Sequence, residues 1–178
     1  MATTQTTEAH PIPLSPGDWR IDPAPARSEV GFLTRIIFGL IAVRGRYSGF
    51  DGELHIDGAG NASGVLRVEA ETISTGIKKR DSHLRSTDFF AVERHPHMTF
   101  ELTALTPHVD GCVRLTGTLH IRDRVLPIDT PVSVAPVGSD GLRIGADFEV
   151  DHRTAGFEIK RLPRTVRIQA ALTLEPTG

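Results

Sequence analysis

A chain of 178 residues with 39% hydrophobic and 24% charged residues is long enough for one domain whose core needs no disulfide or metal, and too apolar to be disordered. With 20 Lys and Arg against 22 Asp and Glu, its formal charge of −2 exerts no long-range pull on nucleic acid or an anionic membrane. The single cysteine, Cys112, excludes an internal disulfide, lacks metal-ligand spacing and gives no sign of an oxidising compartment.

Residues 1–16 are Thr-rich and then Pro-rich (Pro11, Pro13, Pro16), which predicts a disordered tail ahead of one domain over 17–176. The first ten residues carry neither a basic segment nor an apolar one, so a cytoplasmic location is expected. The longest apolar run, Ile36 to Val43, is too short to cross a bilayer, and no stable membrane insertion is expected.

Period-2 alternation governs the rest of the chain. Val30 and Phe32 open a strand; Ile41, Val43 and Tyr47 alternate with Arg44, Arg46 and Ser48; Leu54 and Ile56 come after Phe50-Asp51-Gly52, read as a turn. Leu66, Val68 and Ala70 alternate with Arg67, Glu69 and Glu71. Met98, Phe100, Leu102 and Ala104 do the same until Leu105 breaks the pattern. Val113, Leu115, Leu119 and Ile121, then Leu126, Ile128, Val132 and Val134, continue it. From Leu142 to Val150 every position fits, and from Val166 to Leu174 only Ala171 misses. Asp57-Gly58, Asp110-Gly111, Asp123-Arg124 and Asp140-Gly141 mark turns between runs. Gly (17) and Pro (12) together make about 16% of the chain, above the usual ~12%, in keeping with many turns.

Eight or nine one-faced strands joined by short turns predict an all-β antiparallel meander with one buried face. Alternation alone leaves a closed barrel and a two-layer sandwich open; closure removes exposed edges, and the barrel is the preferred reading. The stretch 73–96 lacks strand period. It reads as an irregular connection with one or two helical turns, packed by Leu84, Phe89 and Phe90.

The sequence has no nucleophile elbow, no P-loop, no dinucleotide fingerprint and no His-Glu-x-x-His. Asp81, Ser82, His83 and Ser86 resemble an acid–base set, but such residues in a connection more often satisfy turns. His95-Pro96-His97 has the spacing of a metal pair without a third ligand nearby. No metal or cofactor is therefore expected. Lys78, Lys79, Arg80 and Arg85, with Lys160, Arg161, Arg164 and Arg167, form either a solvated face or a mouth for an anionic head. Without interleaved aromatics they do not suggest nucleic-acid binding. The inward set is aliphatic and, by parity, free of titratable groups. It suits a hydrocarbon chain, at ~0.8 kcal/mol per buried CH₂, and equally an ordinary packed core.

Several strings carry a resemblance. They are Val30-Gly31-Phe32, Val43-Arg44-Gly45-Arg46-Tyr47 with Phe50-Asp51-Gly52, and Ile73-Ser74-Thr75-Gly76 continuing through Arg80-Asp81-Ser82-His83-Leu84-Arg85-Ser86-Thr87-Asp88-Phe89-Phe90 to His95-Pro96. Met98-Thr99-Phe100 and Thr116-Gly117-Thr118-Leu119-His120-Ile121 add to it. Over about residues 19 to 174 the chain resembles the YceI-like family of polyisoprenoid- or lipid-binding proteins. It departs from the family pattern at Ile36, where many relatives carry His, and at Asp123, where Gly is usual. Arg153 and Gly156 of a late motif are kept, while the aromatic pattern after them is altered.

The resemblance implies an extended, lipocalin-like β-barrel of about eight strands whose tunnel takes an isoprenoid or other long acyl chain. The residues expected to touch that chain are Phe32, Val43, Tyr47, Leu66, Val68, Phe89, Phe90, Met98, Phe100, Leu102, Leu115, Leu119, Ile128, Ile144, Phe148 and Ile168. Arg80, His83 and Arg85 are candidates for a pyrophosphate or quinone head, although Asp81 and His83 read better as pins for the crossing segment. The expected function is non-enzymatic carriage or storage of an isoprenoid lipid, such as a polyprenyl compound or isoprenoid quinone, by a monomer or homodimer. The alternatives are an enzyme acting on a bound quinone or lipid, and a structural or partner-binding β domain without ligand.

Overall fold

The period-2 runs fold as antiparallel strands whose two faces differ in burial, each segment ending where a turn or a bulge breaks the alternation. In the computed structural model, residues 15–24, 26–36, 39–108, 112–157, 159 and 162–177 are described. Residues 1–14, most of the expected tail, lie outside them, as do Asp110-Gly111, Lys160 and Arg161. The strands are β1 (Gly17–Ile21), β2 (Glu29–Ile36), β3 (Ile41–Tyr47), β4 (Phe50–Ile56), β5 (Ala62–Glu69), β6 (Ile73–Ser74), β7 (His97–Pro107), β8 (Val113–Ile121), β9 (Arg124–Val137), β10 (Gly141–Asp151) and β11 (Thr165–Pro176). Among the described residues, one α-helix, α1 (Lys78–Arg85), lies between β6 and β7, and a 3-10 turn (Ala70–Thr72) lies between β5 and β6.

These segments build eight staves. β1 and β2 run end to end along β11, with Ile21 opposite Leu174 and Val30 opposite Ala170. β3 and β4 form the next stave, pairing with β2 and β1 respectively. β5, β7, β8, β9, β10 and β11 come next as successive neighbours, and the β1–β11 pairing closes the ring. A closed ring leaves no sandwich edge, so the structure is a closed antiparallel barrel. At its C-terminal end, Arg46 and Tyr47, β3 pairs not with β5 but with the short β6. There α1 and Leu84 complete the wall, which is why the non-alternating stretch 73–96 belongs to the barrel.

Several sequence readings need correction. Phe50-Asp51-Gly52 is not a turn but the start of β4; the chain breaks one step earlier, at Ser48-Gly49. Gly52 is needed for close packing: a Cβ there would lie 2.5 Å from the Val65 carbonyl oxygen and 2.6 Å from the Ile21 methyl. Leu105 breaks parity because a bulge at Thr103 shifts the β7–β8 register, returning Leu105 to the buried face opposite Leu115. The β8–β9 turn falls on Arg122-Asp123, with Arg122 in the left-handed region at φ 52°. Thr173 faces outward yet is only 1% exposed. Arg27 and Ser28 cover it: its amide donates to Ser28 Oγ at 2.9 Å and its hydroxyl to the Arg27 carbonyl at 2.6 Å.

Candidate ligand-binding site

One end of the barrel is filled. Trp19, Ile56, Ala62, Leu105, Val113 and Val132 are buried there in a contiguous cluster, and none of them lines the barrel cavity. Moving along the staves, the inward side chains shorten. Ala146 faces Ala170 across β10 and β11, and Val30 faces Ala170 across β2. Three short side chains abreast cannot meet the opposite wall, and a cavity of about 480 Å³ opens at this level. That volume lies within the ~300–1,000 Å³ range of small-molecule sites.

The cavity wall includes all sixteen inward or connection residues singled out from the sequence. Phe32 and Val43 stand on β2 and β3 with Tyr47; Leu66 and Val68 on β5; Met98, Phe100 and Leu102 on β7. Leu115 and Leu119 come from β8, Ile128 from β9, Ile144 and Phe148 from β10, and Ile168 from β11. Phe89 and Phe90 reach it from the connection after α1. Two rings lie over glycines: a Cβ at Gly45 would collide with the Phe32 ring, and one at Gly117 with the Phe100 ring. Those glycines give the aromatic rings room beside the wall.

An aromatic group covers the end opposite Trp19. Phe90 meets Phe157 edge-on at 5.3 Å and Tyr47 at 6.3 Å, and Phe89 lies 6.0 Å from Phe157. The Arg122 guanidinium sits 5.5 Å above the Phe157 ring. Burial pushes the Tyr47 phenol above its ordinary value, so it stays neutral on the wall.

The three head-group candidates separate. Arg80 and His83 line the cavity, whereas Arg85 does not. Arg85 instead donates to the Glu71 and Ile73 carbonyls, each at 2.6 Å, and so ties α1 to the turn after β5 and to β6. Arg80 is itself engaged, donating to the Thr75 hydroxyl at 2.7 Å and the Thr75 carbonyl at 3.0 Å. Asp81 accepts from the Thr75 amide at 2.8 Å and from its hydroxyl. Burial raises the Asp81 carboxyl, but these bonds and the charges of Arg85 and Arg80 outweigh it and hold it below its ordinary value. Among the described residues the His83 side chain pins nothing; it is exposed and meets Phe89 edge-on at 5.1 Å. Of the second basic cluster, Arg164 pairs with Asp151 at 2.7 Å and Arg167 with Asp147. These two are ion pairs rather than open anion receptors.

The parity reading of a wall free of titratable groups is overturned. Tyr47 and His152 both line the cavity and are buried. His152 stands two residues beyond Val150 on the same parity, just past β10. Extending the even-numbered count by one step finds it. Among the described residues, no carboxylate bonds to His152 or His83, and no three His, Cys, Asp or Glu residues cluster as metal ligands. No helix among them is long and apolar enough to cross a membrane.

The sequence model of the YceI-like domain matches residues 19–175. The chain belongs to the YceI-like family. Among its relatives, a UPF0312 protein of Shewanella denitrificans is 26% identical over 172 residues, covering 93% of this chain and 90% of the relative. A UPF0312 protein of Ectopseudomonas mendocina is 27% identical over 165 residues, covering 89% and 86%. The crystal structure of BcnA from Burkholderia cenocepacia superposes with a TM-score of 0.77 at 19% identity, covering 86% of this chain and 98% of that one. A polyisoprenoid binding domain from Saccharophagus degradans, implicated in plant cell wall breakdown, gives 0.72 at 18% identity, covering 89% and 98%. At these identities the solved structures establish a shared YceI-like barrel.

Proposed function

We propose that this YceI-like barrel is a non-enzymatic carrier or store for a long-chain isoprenoid amphiphile, of polyprenyl or isoprenoid-quinone type. The observation that carries this reading is the cavity of about 480 Å³ lined mainly by aliphatic and aromatic side chains. A hydrocarbon chain leaving water for such a wall gains ~0.8 kcal/mol per CH₂ without needing orienting chemistry. The solved relative that is a polyisoprenoid binding domain supports the same ligand class. Against the enzyme reading stands the bonding of the wall residues: His152 is held by a backbone carbonyl rather than by an acid or a nucleophile.

Organic extraction of the purified protein followed by mass spectrometry tests the proposal. The expected extract holds an isoprenoid chain compound in near-stoichiometric amount. Extracts that stay empty after expression in several hosts would favour a ligand-free interaction domain. A lipid chemically altered on incubation with the protein would favour the enzyme.

A further inference from the structure

Two side-chain atoms on the cavity wall are buried without a partner among the described residues: His152 Nε2 and Thr34 Oγ1. His152 is 4% exposed, and its Nδ1 lies 2.6 Å from the Phe157 carbonyl oxygen. A carbonyl only accepts, so Nδ1 carries the proton and donates; in the singly protonated ring Nε2 is then a bare acceptor. The turn holds the ring in place. The His152 amide donates to the Arg164 carbonyl at 3.2 Å, and the Phe157 amide donates back to the His152 carbonyl at 2.9 Å. Thr34 stands at the same end of the barrel. It lies one step past the Leu33–Arg167 pair, level with Val166 and Val150, and His152 is the next inward position after Val150.

We infer that the polar end of the carried lipid is a hydroxyl, an alcohol or phenol, that donates to His152 Nε2 at the end of the barrel where Thr34 also lines the wall. The inference rests on the carrier reading and names the chemistry of the head. A hydrocarbon, an ether or a quinone carbonyl brings no donor and leaves Nε2 unmet. The site therefore discriminates a hydroxyl-bearing head, including a hydroquinone, from its capped or oxidised counterpart. Among the described residues, the guanidinium on the wall is already engaged: Arg80 is bonded to Thr75, and Arg85 lies off the wall.

Displacement of a fluorescent fatty probe by geranylgeraniol and by its methyl ether tests this, using the full chain, His152→Leu and His152→Gln. Leaving a buried acceptor unmade corresponds to roughly tenfold in affinity. The wild type is therefore expected to favour the alcohol by that factor, although the ether is more apolar. His152→Leu is expected to bind both alike, and His152→Gln, which keeps an acceptor, to retain part of the preference. In the wild type, the imidazole Nε2 nitrogen resonance is expected to move with the alcohol and not with the ether. That resonance and the wild-type ratio decide the matter even if His152→Leu fails to fold. Equal binding of the two compounds, or tighter binding of the ether, overturns the hydroxyl inference and leaves the carrier reading standing. Failure of both to bind overturns the carrier reading, and the hydroxyl inference falls with it.

Discussion

The paired substitution Ala146→Leu with Ala170→Leu probes the cavity at the level where it opens. The two residues face each other across β10 and β11 and both line the wall. Each leucine adds three carbons, so six carbons enter space otherwise available to a ligand chain. At ~0.8 kcal/mol per buried CH₂, a chain excluded from that volume loses about 5 kcal/mol, between three and four orders of magnitude in affinity. A chain that slides toward the aromatic end recovers part of this, so a loss of at least about a hundredfold is expected for geranylgeraniol. The new methyl groups pack on an existing apolar wall, so thermal stability is expected to hold or rise. Probe displacement gives the affinity, and circular dichroism gives the melt. A variant that melts like the wild type and binds geranylgeraniol equally well would place the ligand somewhere other than this cavity.

Gly45→Ala is expected to push the Phe32 ring off its glycine and into the cavity. Stability should fall by only about 1 kcal/mol while geranylgeraniol binding weakens; Phe32→Leu in the same chain should restore binding, as displacement assays would show. Asp81→Ala strands the Thr75 amide and hydroxyl and removes the negative charge beside Arg80 and Arg85, and should cost about 2–3 kcal/mol in denaturant unfolding. Because the folded Asp81 carboxyl lies below its unfolded value of ~3.9, its contribution is complete above that pH and fades as pH falls through the folded value. Melts over an acid series should therefore show the gap between wild type and variant closing below about pH 4. Leu119→Arg places a charge on the cavity wall, and it should abolish lipid retention or folding; a folded variant that co-purifies with lipid would reassign the inner face.

Which side of each strand faces inward is legible in the sequence because one face of every stave is dry. Phe148 and Ile168, opposite each other on β10 and β11, emerge directly from counting by twos. Position 52 is not legible: glycine after aspartate resembles a turn, and only the nearness of the Val65 backbone and Ile21 explains it inside a strand. Closure is a long-range fact, since β1 and β11 meet from opposite ends of the sequence. The cavity too escapes parity. It arises from side-chain volume summed around the ring, where Ala146, Ala170 and Val30 come level. The division of labour in Arg80-Asp81-Ser82-His83-Leu84-Arg85 is equally a tertiary matter, because Arg85, and not His83, reaches the carbonyls that anchor the helix.

Isotope-filtered NMR of carbon-labelled protein mixed with unlabelled geranylgeraniol locates a bound lipid residue by residue. Cross-peaks are expected from prenyl methyls to Leu119, Ile128 and Ile168 on the inner wall, and none to Leu40, which is 80% exposed. Cross-peaks confined to the outer surface, or a spectrum unchanged at saturating prenol, would contradict an interior binding site.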